Sequence, residues 1–164
     1  MGIHVRTATL HDAAAACVVL YRSITECCMA DHGGDAAVLQ AWLGNKTPEH
    51  IGRWIQHPHN LSFVAEVDGQ RVGFALSTTG GEVLLCYALP EHRFTGVGKA
   101  MLAAMEAQAR ADGVDALRLD STRTARAFYL RHGFVESAAP ISAWGMTSYP
   151  MVKMCSHNEA AVAV

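Results

Sequence analysis

EVLLCYALPEHRFTGVGKAMLAAMEAQARADG, Glu82 to Gly113, decides how this chain folds. Glu82 to Leu89 is rich in apolar residues and bounded by Gly80-Gly81 and Pro90, the pattern of a largely buried strand. From Gly96 the period changes. Val97, Ala100, Met101, Ala104, Met105 and Gln108 share one face of a helix, and Gly113 stands where a left-handed cap closes one. Between strand and helix lies Arg93-Phe94-Thr95-Gly96-Val97-Gly98-Lys99. The first N–H groups of a helix have no partner within it, and the helix dipole adds partial positive charge at the same end. Gly96 and Gly98 let an anion approach the backbone closely, and Arg93 and Lys99 add formal charge. A phosphate or diphosphate is the group expected there, its carrier lying along the preceding strand.

Two families place glycines at such a junction. Gly96 and Gly98 fit the dinucleotide pattern G-x-G-x-x-G, and Asp120, at the end of a strand Ala116 to Leu119, stands where a ribose-binding acid would. Met101 holds the third glycine position, however, and the connection from Leu89 to Gly96 is too long for that fold's tight turn. The second family fits better. Pro90 to Ala100 resembles the acyl-coenzyme A loop of the GNAT-type N-acetyltransferases: Arg or Gln, two residues, Gly, one residue, Gly or Ala. Thr124-Ala125-Arg126-Ala127-Phe128-Tyr129-Leu130-Arg131-His132-Gly133-Phe134 resembles that superfamily's second signature, an alanine, a tyrosine, then Gly-Phe. The two occur in the family's order and separation, and the resemblance is firm over about residues 60 to 140.

Length and composition agree with one such domain, residues 1–156, followed by a frayed tail, 157–164. The chain has 164 residues, 51% hydrophobic and 17% charged, which suits a packed core rather than disorder. A formal charge of -2 without a basic block argues against a nucleic-acid partner. No run is long and apolar enough to span a membrane, the first residues carry no apolar signal core, and Arg6 breaks a myristoylation motif. The five cysteines, Cys17, Cys27, Cys28, Cys86 and Cys155, follow no framework spacing and read as reduced thiols of a cytoplasmic protein. Cys27, Cys28 and His32 read as helix-end packing, since no second ligand pair with zinc spacing exists; no metal is expected.

In order, Gly2 to Thr7 alternates as a strand, and Thr9 with Asp12 forms a capping-box-like start to a helix reaching about Met29. Short helices follow over Ala36–Leu43 and from Thr47-Pro48 to Gln56. Leu61–Val67 and Gln70–Thr78 form a hairpin around Asp68-Gly69, continuing into the Glu82 strand as a meander. A crossover helix leads to a parallel strand, Ala116–Leu119; Thr122–His132 is a helix, and the last strands run from Phe134 onward and from Ser148 to Cys155. The resemblance implies an α/β (α+β) chain in the GNAT acyl-CoA N-acyltransferase fold: a mixed, mostly antiparallel sheet of about seven strands flanked by four or so helices.

It also implies a function: acetyl transfer from acetyl-CoA, as co-substrate, to the primary amine of a small molecule or amino-acid-like acceptor. A protein or peptide amine is the nearest alternative, and a non-catalytic CoA-binding sensor module another. The resemblance allows a homodimer, for which the residues carry no separate signal. By the same carry-over, the fourth and fifth strands splay apart. The pantetheine arm enters the gap against Tyr87, Ala88 and Leu89, with the diphosphate on the amides of Phe94, Thr95, Gly96, Val97, Gly98 and Lys99 beside Arg93. Tyr129 matches the tyrosine that protonates the departing sulfur. Glu82, fourteen positions before Gly96, has the spacing of the catalytic glutamate of the histone-acetylating branch; Tyr87, His92 or a water chain are alternative bases. The oxyanion donor is expected in a fourth-strand bulge near Tyr87 or Ala88. Thr122 holds the slot of an asparagine that touches the coenzyme, and Phe94 stands where glycine or a polar residue is common. Glu26, Asp31 and Asp35 would suit a cationic acceptor, or form a solvated loop.

Overall fold

The structure is a computed structural model that describes residues 2–155; the expected tail, 157–164, lies outside the described residues. In chain order the elements are β1 (Ile3–Thr7), α1 (Ala13–Cys27), α2 (Met29–His32), α3 (Ala36–Leu43), α4 (Pro48–Gln56), β2 (Asn60–Val67), β3 (Gln70–Thr78), β4 (Val83–Ala88), α5 (Val97–Ala111), β5 (Ala116–Ser121), α6 (Arg126–Arg131), β6 (Val135–Glu136), β7 (Ile141–Ala143) and β8 (Met146–Met154). The local signals act where expected. Thr47 accepts the His50 N–H at 3.2 Å to cap α4, with Pro48 in its first turn. Asp68 and Gly69 both adopt positive φ, the geometry a two-residue β2–β3 hairpin demands.

β1 to β4 form an antiparallel meander, and β5, β8 and β6 form a second antiparallel group with β7 hairpinned onto β8. The two groups meet at one place. Glu82 bridges Arg118 in parallel, and the Arg118 N–H donates to the Gly81 carbonyl at 2.9 Å. Gly81 has φ 92°, and a side chain there would run into the Ala116 carbonyl oxygen, so glycine permits this close approach. Past Glu82 the described residues show no further pairing of β4 with β5: β4 pairs only with β3, and β5 only with β8. The sheet is therefore split into a wedge that widens toward Ala88 and Thr122.

Helices cover both faces. α5 lays Val97, Met101, Leu102 and Met105 on Ala65, Val72, Ala75 and Leu117. On the other face, Ala16, Val19 and Leu20 of α1 and Ile51 of α4 cover Val64, Phe74 and Leu76. Each large side chain so enclosed stabilises the fold by about 1.5–3 kcal/mol, which fixes α5, and with it the loop before it, against the sheet.

Three details differ from expectation. The first long helix breaks at Cys28, whose φ −103°, ψ 32° is non-helical. That break turns Asp31 toward the β5–α6 connection, where its carboxylate accepts the Arg123 N–H (2.6 Å), the Thr124 N–H (3.2 Å) and the Thr124 hydroxyl (2.5 Å). The helix expected from Thr122 begins instead at Arg126, after a turn in which the Thr122 hydroxyl accepts the Ala125 N–H at 3.1 Å. The last strand starts earlier, at Met146, because the Trp144-Gly145 turn, both residues at positive φ, folds it back on β7. No helix among the described residues is long and apolar enough to cross a membrane.

Candidate acyl-transfer site

A cavity of about 570 Å³ fills the wedge. β4 supplies Cys86, Tyr87 and Ala88; the loop and first turn of α5 supply Arg93, Phe94, Gly96, Gly98 and Lys99. Thr122, Thr124 and Phe128 form the opposite wall, and Ser23, Cys27 and Cys28 at the end of α1 close a third side. Gly96 carries φ 93° as the residue that opens α5, a conformation that costs other residues about 1 kcal/mol or more. The first turn of α5 thus meets the cavity with bare backbone. Arg93, Lys99 and Arg131, with His92 and His132, line the same cavity, and its lining includes no carboxylate. Phe94, at φ 60° and 88% exposed, stacks against the Arg93 guanidinium at 4.8 Å.

The ladder decides which part of β4 can bind. Leu89 N–H donates to the Val72 carbonyl at 2.8 Å, and the register pairs Phe74 with Tyr87 and Ala75 with Cys86. Antiparallel hydrogen bonds alternate along a strand, so the Leu89 N–H and the main chain of Tyr87 turn to β3 while those of Cys86 and Ala88 face the gap. The Leu89 carbonyl accepts the His92 N–H at 2.9 Å, so of the β4 main chain near the cavity it is Cys86 and Ala88 that face the gap. Tyr87 keeps its cavity position through its side chain. The bulge expected near Tyr87 or Ala88 lies earlier in β4, where the register slips across Leu84.

Tyr129 lies behind this edge, 6% exposed, its ring edge-on to Phe128 (5.1 Å) and Phe134 (5.3 Å). Its hydroxyl lies beside the Cys86 side chain. Burial raises the hydroxyl's pKa well above its ordinary 10, so it remains a proton donor through the neutral and alkaline range. The same burial pushes the Cys86 thiol up to about 12.

The remaining expected residues are placed differently. Val97 is buried in the core under α5, and the Thr95 hydroxyl donates to the His92 carbonyl at 2.6 Å. Thr122 lines the cavity while its hydroxyl caps the turn behind it. Glu82 is not brought to Tyr129. It is exposed, on a separate cavity of about 380 Å³ with Arg118 and Asp120, and it precedes Cys86 by four residues, roughly 13 Å of strand. Glu26 is held by Arg22 at 2.9 Å, which also pairs with Glu91 at 2.9 Å. Asp31 is taken up by the β5–α6 connection, and Asp35 caps α3 by accepting the Ala37 N–H at 2.9 Å. The acid-lined acceptor pocket read from these three residues does not form. Glu26→Gln is expected to leave acceptor KM within about twofold, because a solvent-facing ion pair contributes little; steady-state kinetics check it.

The model of the acetyltransferase (GNAT) domain matches residues 28–155. The chain belongs to the GNAT acetyltransferase family. Solved structures agree on the fold of this GNAT chain. A GCN5-related N-acetyltransferase from Rhodopseudomonas palustris aligns with TM-score 0.83 at 22% identity over 94% of this chain and 96% of its own. The PaiA N-acetyltransferase from Thermoplasma acidophilum, solved in complex with coenzyme A, aligns with TM-score 0.78 at 20% identity over 94% and 99%. A ribosomal-protein alanine N-acetyltransferase from Escherichia coli aligns with TM-score 0.67 at 17% identity over 99% and 100%. No curated protein sequence matches this GNAT chain. Of the residues expected from the sequence, Tyr87, Ala88, Arg93, Phe94, Gly96, Gly98, Lys99 and Thr122 line the cavity, whereas Leu89, Thr95, Val97 and Tyr129 are not in its lining. Sequence reasoning missed Ser23, Cys27, Cys28, Arg131 and His132 as cavity residues, and the place of Cys86 in the β4 edge. A signal for Cys86 was present in the parity of β4, had the paired edge been known.

Proposed function

We propose that this GNAT chain transfers an acetyl group from acetyl-CoA to the primary amine of a small molecule or amino-acid-like acceptor. One observation carries the reading: a helix start with bare amides and basic side chains opens onto a β4 edge, at Cys86 and Ala88, that pairs with no other strand among the described residues. Acetyl-CoA, as co-substrate, would supply an acetyl thioester. The amides from Phe94 to Lys99 would hold the diphosphate, with Arg93, Lys99 and Arg131 balancing phosphate charge. The main-chain groups of Cys86 and Ala88 would pair with the amides of the arm, fixing its depth. Tyr129 would then donate its proton to the departing sulfur, for which a hydroxyl that burial keeps protonated is suited. The acceptor loses its proton to water or to His92, which lines the cavity; Glu82 lines a separate cavity with Arg118 and Asp120.

Tyr129→Phe is expected to lower kcat about tenfold while leaving acetyl-CoA affinity within about twofold, since a thiol leaving group is already fairly acidic. Steady-state kinetics beside calorimetric titration test that split; unchanged kcat removes the role. The function itself is tested by thiol release from acetyl-CoA over a panel of small amines, amino acids and N-terminal peptides. Release that depends on a small amine supports the proposal, whereas release with peptides alone makes the acceptor a protein. Coenzyme A binding without turnover makes the chain a binding module, and NAD binding without coenzyme A binding removes the reading.

A further inference from the structure

Of the buried polar residues among those described, Ser23 alone lines the acyl-transfer cavity; it is 5% exposed. A serine inside a helix commonly turns its hydroxyl to a carbonyl one turn back. Ser23 makes no such bond, nor any other from its side chain, among the described residues. Thr25, two residues further along α1, also has an unpartnered hydroxyl, but that oxygen is sealed inside the protein. The Ser23 oxygen is not among the sealed atoms, and the surface it keeps opens on the cavity. A hydroxyl this deeply placed without a partner has lost most of its hydration, a cost that a bound molecule recovers by hydrogen bonding to it.

Its chain neighbour fixes where it stands. Arg22 grips Glu91, in the connection between β4 and α5, with two hydrogen bonds of 2.9 Å. Ser23 and His92 are the next residues of the two segments, and both line the cavity. The pair thus ties the turn of α1 that carries Ser23 to the connection that carries His92. The other hydroxyls of the facing wall are committed: Thr122 accepts the Ala125 N–H at 3.1 Å, and Thr124 donates to Asp31 at 2.5 Å. Glu26 and Glu91 are both held by Arg22, and no carboxylate lines the cavity among the described residues. An ammonium ion would enter such a space without a counter-charge, which is costly. A neutral amine needs only an acceptor for its N–H, and keeps its lone pair for attack.

We propose that Ser23 binds the acceptor: its hydroxyl oxygen accepts an N–H of the amine in its neutral form, and the site takes amines whose remaining body carries no positive charge. The lone pair of the nitrogen is left for the thioester carbon. On attack the nitrogen becomes positively charged, and it then sheds one proton to water or to His92, so the amide leaves neutral. An acceptor with a second ammonium group is disfavoured, because no described side chain of the cavity balances that charge.

This role rests on the acyl-transfer reading above, and its test separates the two. Initial rates are measured for the full chain with acetyl-CoA and either n-pentylamine or 1,5-diaminopentane, which are matched in length, beside calorimetric titration with acetyl-CoA. Expected is a kcat/KM at least about tenfold higher for the monoamine. The KM for pentylamine should fall about tenfold per unit of pH between about pH 7 and 9, as the neutral fraction grows below an amine pKa of about 10.4. Ser23→Ala should raise that KM about tenfold while kcat and acetyl-CoA affinity stay within about twofold, and Ser23→Thr, which keeps a hydroxyl, should recover most of the loss. An unchanged pentylamine KM in Ser23→Ala overturns the proposal. So does a diamine used equally well, a KM that does not move with pH, or a loss of acetyl-CoA affinity in Ser23→Ala as large as the loss for the amine, which makes Ser23 a packing residue. Turnover of neither amine overturns it as well; if the wider amine and peptide panel is also inert, the acyl-transfer reading falls with it.

Discussion

Gly98→Val is expected to weaken acetyl-CoA binding by about a hundredfold while leaving the fold in place. Gly98 lies in the first turn of α5, and an added Cβ would stand 3.2 Å from Phe128 Cζ and 3.3 Å from Cε2. The Phe128 ring faces the same cavity, so it can give way only into the space the coenzyme would use. A branched side chain there also blocks approach to the amides on either side. Loss of two charge-assisted hydrogen bonds to a diphosphate is worth about 3 kcal/mol, or about two decades in Kd. Gly98→Ala should fall between, because a single methyl can be met by a few tenths of an ångström of ring movement. Calorimetric titration checks the series, and circular dichroism checks that α5 survives. Full affinity in the valine variant would mean that the diphosphate is held elsewhere.

Asp12→Ala is expected to cost about 3 kcal/mol of stability and roughly 10 °C of Tm. The Asp12 side chain has 0% exposure. It receives two bonds from Arg6, at 2.8 and 2.9 Å, one from Arg71 Nε at 3.0 Å and one from the Thr9 N–H at 2.8 Å. The knot ties the start of α1 to β1 and to β3, through Arg6 and Arg71. Removing the carboxylate leaves the two guanidinium groups to Glu66, which Arg6 contacts at 2.7 Å and Arg71 at 4.0 Å; that remaining partner and their partial solvation keep the cost at the lower end for a buried pair. The Arg6 hydrogen bonds hold the Asp12 carboxyl far below its ordinary 3.8. A group with a depressed folded pKa stabilises fully above its unfolded value, and its contribution fades as pH falls toward the folded value. The difference in stability between the natural chain and Asp12→Asn should therefore be constant above about pH 5 and shrink below about pH 4. Urea denaturation across that range measures it; a difference that grows in acid would contradict the knot.

Local chemistry made much of this fold legible. The stripe Val97-Met101-Met105, the Asp68-Gly69 turn, the Thr47-Pro48 cap and the Gly96 opening each act over a few residues, so spacing alone revealed them. Asp12 shows where that reach ends. Its capping partner Thr9 was visible three residues away, but Arg71 reaches it only because β3 passes beside α1. Asp31 is similar: an acid in a short loop reads as an exposed charge until the chain brings Arg123 and Thr124 to it. The site divides in the same way. Arg93 to Lys99 and Tyr129 sit in contiguous motifs, whereas Cys86 and Ala88 were singled out by the hydrogen-bond parity of β4 against β3. Cys27-Cys28 at the end of α1 and Arg131 at the end of α6 are far apart in the chain and share a cavity only through tertiary packing.

A crystal structure of the chain with coenzyme A tests the central claim most directly. Expected are diphosphate oxygens within hydrogen-bonding distance of main-chain N–H groups between Phe94 and Lys99, the arm along Cys86 and Ala88, and its sulfur beside Tyr129. A diphosphate seated away from the start of α5, or an arm that leaves the β4 edge unpaired, would contradict it.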